Sequence, residues 1–142
     1  MLTVCFSGTR QGLQSIQYQQ LKARLLFLPI SHAIHGDCVG ADAEYHGLIR
    51  ETCPGAEIST YLVKGSFCAG MKADHSHLRT GHLSRNKEMV RLSNLLISCP
   101  PTQEAQDRGG TWFTTRFADK INVPLIIILP NGEIKYSYKD CQ

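Results

Sequence analysis

The chain has 142 residues, with 15 basic and 12 acidic side chains and a formal net charge of +3. This length suits one domain (residues 1–142) with one core, and a hydrophobic content of 42% excludes a disordered chain. A small excess of interspersed positive charge gives no support for nucleic-acid or membrane binding.

Along the whole chain, continuous apolar runs alternate with segments whose apolar residues recur at helical spacing. Continuous apolar runs predict five strands, at Leu2–Phe6, Ser31–His35, Ile58–Val63, Leu95–Cys99 and Leu125–Leu129. Helical spacing of apolar residues predicts four helices, over residues 13–28, 41–49, 83–92 and 111–121. The turn signal Asn131-Gly132 is followed by Ile134–Tyr138, which could add an edge strand.

Strands that are apolar throughout and separated by helices predict a single Rossmann-like α/β domain. We expect a mostly parallel five-stranded sheet with helices on both faces. Such sheets bind ligands beyond the carboxyl ends of their strands, where the strand order reverses. The loops after the first, second and fourth predicted strands are therefore the candidate ligand-binding segments.

Residues 64–81 form a long polar connection, which is typical of a functional or mobile segment. His75, His77 and His82 lie in or beside it, together with Cys68 and Asp74. Their spacing matches no zinc finger or zincin, so we predict no metal and no other cofactor.

The loop after the first strand, Ser7–Gly12, offers groups that suit an anionic ligand. Gly8 permits close approach of a ligand to the backbone, Thr9 supplies a hydroxyl, and Arg10 supplies a guanidinium for phosphate or carboxylate. The alternative is an ordinary turn with an exposed arginine.

The loop after the second strand brings Gly36, Asp37, Gly40 and Asp42 to the same edge of the sheet. Asp37 is expected to point into the crevice, where its carboxylate could bind ribose hydroxyls or act as a general base. Asp42 is a second candidate ligand contact, or else the N-cap of the next helix. His35 is more typical of a buried strand residue than of a catalytic one.

The loop after the fourth strand begins a helix with two glycines and hydroxyl side chains. Backbone N–H groups at a helix N-terminus favour phosphate, so this segment predicts a phosphate cradle, formed by Gly109, Gly110, Thr111 and Thr114. Trp112 is expected in the core or at an interface. A cationic residue is unfavourable in the first turn of a helix, so Arg85, with its neighbour Asn86, indicates an anionic partner.

Four segments together resemble the SLOG superfamily, most closely its YspA/YpsA-related, DUF2493-like branch. They are S-G-T-R at Ser7–Arg10, H-G-D-x-x-G-A-D at His35–Asp42, R-N-x-x-M-V at Arg85–Val90 and G-G-T-x-x-T-x-x-x-A at Gly109–Ala118. The resemblance implies a Rossmann-like fold that senses or processes a nucleotide-derived ligand, and a homodimer or higher homo-oligomer, for which Trp112 and its apolar neighbours are candidate contacts.

We therefore predict a protein that binds a nucleotide-derived small molecule. The alternative is an N-glycosidase acting on a nucleoside monophosphate, with Asp37 and Arg85 as catalytic residues. The LOG phosphoribohydrolases of the superfamily carry P-G-G-x-G-T-x-x-E, and Arg108–Arg116 offers no such glutamate. Single-stranded nucleic-acid binding, as in the DprA relatives, fits a net charge of +3 poorly.

The compartment follows from the cysteines and the apolar segments. Six scattered cysteines without a C-x-x-C pair predict a reducing environment and no disulfide framework. The apolar N-terminus is too short for a signal peptide, and no apolar run is long enough to span a membrane. These features favour a cytoplasmic protein without a membrane partner.

Overall fold

Seven strands, four α-helices and one short 3-10 helix make up the computed structural model, which describes residues 1–142. The strands are β1 (Leu2–Gly8), β2 (Ile30–His35), β3 (Glu57–Val63), β4 (His75–Arg79), β5 (Leu95–Cys99), β6 (Leu125–Ile128) and β7 (Ile134–Lys135). The helices are α1 (Ser15–Phe27), α2 (Ala41–Thr52), α3 (His82–Arg91) and α4 (Gly110–Lys120), and the 3-10 helix is Tyr138–Cys141.

The seven strands form one sheet in the order β4-β3-β2-β1-β5-β6-β7. All neighbouring strands are parallel except β6 and β7, which pair antiparallel. The chain builds outward from β1 to β4 and then returns to place β5 on the other side of β1. The strand order therefore reverses between β1 and β5, which is where a sheet of this kind opens a crevice for a ligand.

Helices cover both faces of the sheet, as the sequence predicts. Alternate side chains of β1 enter two separate cores, because successive residues of a strand point to opposite faces. Val4 and Phe6 pack in the core that contains buried residues of α1 and α2, whereas Cys5 packs in the core that contains those of α3 and α4. Burial of both faces explains why the central strands read as continuous apolar runs.

The predicted count of five strands is wrong, because β4 lies inside the segment 64–81 that we expected to be a connection. Its sequence, H-S-H-L-R, has no apolar run and is largely exposed, so it carries no strand signal. Backbone pairing with β3 forms this edge strand. Asp74 supports its start, since the carboxylate accepts the Ile58 N–H at 2.8 Å and pairs with Arg50 at 3.1 Å.

The predicted edge strand at Ile134–Tyr138 forms over two residues only. Ile134 and Lys135 pair with β6, and the chain then turns into the 3-10 helix. Each of the other predicted strands and helices is present, with ends that differ by a few residues. None of the helices combines the length and the apolar character that crossing a membrane requires.

Candidate functional site

A cavity of about 390 Å³ lies at the point where the strand order reverses. The loops that follow β1, β2 and β5 line it, and the first turn of α3 closes a further side. Its volume lies in the range of small-molecule binding sites. The position of the cavity agrees with the crevice expected from the sequence.

Ten of the thirteen residues that the sequence proposes as ligand contacts line this cavity, although they come from four separate segments. They are Gly8, Thr9, Arg10, Gly36, Asp42, Arg85, Asn86, Gly109, Gly110 and Thr111. Asp37, Gly40 and Thr114 do not line it.

The first turns of α3 and α4 both contribute to the lining. The first N–H groups of a helix have no intrahelical acceptor. Neither helix has a side-chain cap at its N-terminus, so no capping side chain accepts these groups either. Gly109, Gly110 and Thr111 line the cavity from α4, and His82 and Leu83 do so from α3. Free N–H groups and the positive ends of two helix dipoles therefore favour an anion here.

Two arginines of the lining have no partner within the protein. Arg10 and Arg108 are both exposed, and neither side chain makes a hydrogen bond or an ion pair. The pKa of His82 is lowered, first by its partial burial and then by the positive charges of Arg85 and Arg10. The cavity is therefore electropositive, with two guanidinium groups available to a ligand.

Arg85 has a different role, because its guanidinium is committed to the protein. The side chain is only 4% exposed. It donates to the Tyr61 carbonyl at 2.7 Å, to the Gly36 carbonyl at 3.3 Å and to Asn86 Oδ1 at 2.7 Å. A Cβ atom at position 36 would collide with this guanidinium, so the glycine lets Arg85 lie against the backbone of the loop. Arg85 thus shapes the floor of the cavity and fixes the loop after β2.

Asp42 is the only carboxylate in the lining, and it is 6% exposed. Its Oδ2 accepts the N–H groups of Gly36 at 3.2 Å and Cys38 at 3.1 Å. Oδ1 accepts no hydrogen bond from a nitrogen or oxygen of the protein, and no fully buried side-chain oxygen is left without a partner. The free Oδ1 therefore keeps contact with the cavity that Asp42 lines.

Burial raises the pKa of Asp42 from 3.8 to about 6. The N–H groups of Cys38 and Gly36, the charge of Arg85 and the Cys38 thiol favour the ionised form and limit the rise. The carboxylate is thus ionised at neutral pH in a site that disfavours its charge. The N-cap alternative is wrong, since Gly40 is the N-cap of α2 and Asp42 lies in its first turn.

The prediction that the Asp37 carboxylate points into the crevice is wrong. Asp37 has a left-handed backbone with φ of 53°, and this conformation turns its side chain toward the segment before β4. Its Oδ2 accepts the Gly70 N–H and its Oδ1 accepts the Met71 N–H, both at 3.1 Å. The Asp37 carbonyl also accepts the Ala69 N–H at 2.8 Å. Asp37 therefore anchors the connection and does not belong to the lining.

Asp37→Asn is expected to lower stability by about 1 kcal/mol and to leave ligand affinity unchanged. Asparagine tolerates the left-handed backbone but offers one acceptor oxygen in place of two, so one of the Gly70 and Met71 N–H groups loses its partner. Chemical denaturation measures the loss, and calorimetry measures the affinity. A tenfold fall in affinity with the fold intact would return Asp37 to the site.

Gly40 and Thr114 support the cavity from outside it. Gly40 has φ of 87°, and a Cβ atom there would meet the Arg10 carbonyl, so this glycine lets the loops after β1 and β2 touch. Thr114 is fully buried, and its hydroxyl donates to the Gly110 carbonyl at 2.7 Å inside α4.

His35 and Trp112 are both buried. His35 accepts the Asp37 N–H at 2.9 Å and lies 2.9 Å from His46, and burial lowers its pKa to about 3, so it is neutral. This agrees with the predicted buried strand residue. Trp112 is 1% exposed and donates to Thr102 at 2.8 Å. It lines the cavity from within the core and therefore cannot serve as an exposed contact between subunits.

Sequence reasoning left out several residues of the lining, notably Ser7, Cys38, His82 and Arg108. Ser7 and Arg108 flank the two glycine motifs, so proximity in sequence was an available signal for both. His82 could have been found from the rule that helices in this fold begin at the ligand edge of the sheet. Cys38 lies inside the His35–Asp42 segment, so its place in that loop was an available signal as well.

Comparison with known proteins shows the fold and does not show a family. No protein-family model matches the chain, and no curated protein matches it. The X-ray structure of TM1055, a structural genomics target, matches with a TM-score of 0.63 at 14% identity, over 88% of this chain and 72% of that one. A molybdenum cofactor binding protein from the phototrophic bacterium Rippkaea orientalis matches with a TM-score of 0.68 at 16% identity, over 89% of this chain and 76% of that one.

At these identities the likeness supports a Rossmann-like α/β fold that is shared with at least one ligand-binding protein. This likeness does not show that the chain belongs to the SLOG superfamily or to one of its branches. The homo-oligomer that the resemblance implies also remains a prediction.

Proposed function

We propose that this protein binds a nucleotide or a nucleotide-derived small molecule in the cavity between β1 and β5. The observation that carries the proposal is the convergence of two uncapped helix N-termini and two unpaired arginines on one cavity. N–H groups at helix N-termini and arginine forks are the groups that recognise phosphate. The four SLOG-like segments support the same ligand class.

The phosphate would lie at the first turn of α4. Gly109 and Gly110 leave room for an anion, because a Cβ atom at position 109 would meet nothing within 4 Å and one at position 110 would meet only Asn86, at 3.8 Å. Thr111 adds N–H and hydroxyl donors, and Arg10 and Arg108 would supply the compensating charge. Thr114 takes no part, because its hydroxyl is bonded inside the helix.

The rest of the lining suits the organic part of such a ligand. Phe6, Leu83 and Met89 supply apolar surface, and Ser7 and Asp42 supply polar groups. A few polar groups in a partly apolar cavity are typical of small-molecule sites. The same fold in a molybdenum cofactor binding protein agrees with a small-molecule ligand here.

An N-glycosidase acting on a nucleoside monophosphate is a second candidate, favoured by the single carboxylate in the lining. Glycosidic cleavage uses carboxylates beside an oxocarbenium-like centre. Asp42 would take the catalytic role predicted for Asp37, and Arg85 would hold the loop after β2 through the Gly36 carbonyl. Only one carboxylate is present, which favours binding over hydrolysis.

Nucleoside 5′-monophosphates are expected to stabilise the protein, and the matching nucleosides to do so much less. A ligand that binds only the folded state, present at a hundredfold excess over Kd, adds about 2.7 kcal/mol, which raises Tm by several degrees. Thermal shift with the adenosine, guanosine, cytidine and uridine compounds measures this, and chromatography of the same samples measures free base. Base release would favour the glycosidase. If no monophosphate raises Tm at millimolar concentration, the proposal fails.

A further inference from the structure

The free carboxylate oxygen in the cavity points to a requirement on the ligand beyond its phosphate. We infer that Asp42 Oδ1 accepts a hydrogen bond from the 2′- or the 3′-hydroxyl of ribose, so that the site discriminates against a nucleotide that lacks that hydroxyl. This inference rests on the proposed binding of a nucleotide. It adds a polar contact from α2 to the phosphate contacts proposed at α4.

The first support is the unequal use of the two oxygens of Asp42. Oδ2 accepts two backbone N–H groups, whereas Oδ1 accepts no N–H or O–H of the protein. No lysine, arginine or histidine side chain lies within ion-pair distance of the carboxylate. Aspartate is almost never this buried without a charge partner. The Asp42 side chain is 6% exposed and has one oxygen that faces the cavity. This oxygen can therefore accept a hydrogen bond from a donor on the ligand.

The second support is the stiffness of this carboxylate. Two hydrogen bonds hold Oδ2, and they join the first turn of α2 to the loop after β2. Arg85 fixes the same loop through the Gly36 carbonyl. The direction of Oδ1 is thus set before a ligand binds. Because the Asp42 side chain need not be ordered on binding, the hydrogen bond to Oδ1 contributes more to discrimination between ligands.

The third support is the chemistry that each end of the cavity allows. An ionised carboxylate only accepts hydrogen bonds and repels phosphate, so Asp42 must meet the uncharged part of the ligand. Asp42 lines the cavity from α2 and Gly110 lines it from α4, and these helices pack on opposite faces of the sheet. One nucleotide, hydrogen-bonded through a ribose hydroxyl and bound through its 5′-phosphate, would use both groups.

Removing the hydroxyl from the ligand should therefore weaken binding. The four nucleoside 5′-monophosphates and their 2′-deoxy and 3′-deoxy forms are titrated into the protein by calorimetry. Loss of one hydrogen bond to a charged acceptor is expected to weaken binding by about ten- to a hundredfold for at least one of the two deoxy forms. If both deoxy forms bind as well as the parent, the inference fails while the proposed function stands. If no parent monophosphate binds, the proposed function itself fails.

Variants of Asp42 then test whether this residue is the source of the preference for ribose over its deoxy form. Asp42→Asn keeps the acceptor for Gly36 and Cys38 but faces the cavity with a neutral amide, so the ratio of ribo to deoxy affinity should fall at least threefold. Asp42→Ala, checked for its fold by circular dichroism, should reduce the ratio to about one. Asp37→Asn is the matched control in the same loop and should leave the ratio unchanged. An unchanged ratio in Asp42→Asn and Asp42→Ala would overturn the assignment.

Discussion

Gly110→Asp is expected to weaken nucleotide binding by at least a hundredfold while the protein remains folded. The new carboxylate would lie at the N-terminus of α4, where the phosphate is proposed to bind, and would repel it. The fold should tolerate the change, since Gly110 has no positive φ and a Cβ atom there meets only Asn86 Nδ2, at 3.8 Å. An acidic residue in the first turn even favours the helix slightly. Calorimetry with the monophosphate that gives the largest thermal shift measures the loss.

Gly110→Ala is the matched control for this experiment. It adds the same Cβ atom without the charge, so affinity should stay within a fewfold of that of the unmodified protein. A similar loss of affinity in both variants would mean that the added bulk at position 110, and not its charge, weakens binding. Unchanged affinity in Gly110→Asp would remove the first turn of α4 from the phosphate site.

Most of the fold could be predicted because its central strands are buried on both faces. Burial of this kind leaves continuous apolar runs, such as Leu125–Ile128, which the sequence shows directly. The edge strand β4 could not be predicted, because it is stabilised by backbone pairing to β3 and by Asp74, a long-range contact. The place of the cavity followed from topology, since helix–strand alternation and the rule for ligand crevices need no side-chain detail.

The roles of the two aspartates could not be assigned from the sequence. Asp37 and Asp42 both follow β2 and both lie among glycines. The donors that hold the Asp37 carboxylate are Gly70 and Met71, more than thirty residues away, in a segment with no local signal for that contact. Motif position indicated that a carboxylate would line the cavity, and tertiary contacts decided which one.

Asp42→Asn is expected to raise the free energy of unfolding at pH 8 by about 1–3 kcal/mol. The folded-state pKa of Asp42 is about 6, above the ordinary value of 3.8 that applies when the chain is unfolded. Below pH 3.8 the carboxyl is neutral in both states and costs nothing. Between about pH 4 and 6 the unfolded chain loses its proton first, so stability falls, and above pH 6 the full penalty remains. At 1.36 kcal/mol per pKa unit the penalty is about 3 kcal/mol at most.

The amide should remove this penalty and its pH dependence while keeping the two bonds from Gly36 and Cys38. Urea denaturation of both proteins from pH 4 to pH 8 measures the difference, which should be smallest at pH 4 and largest above pH 6. Taking the difference cancels the other carboxylates, such as Glu57 and Glu88, whose lowered pKa values shift stability in the opposite direction. A variant less stable than the parent at pH 8 would mean that the charge stabilises the loop. A variant that is more stable but has a lower ratio of ribo to deoxy affinity would show that the buried charge lowers stability and serves ligand recognition. Such a loss of stability is expected of a functional group.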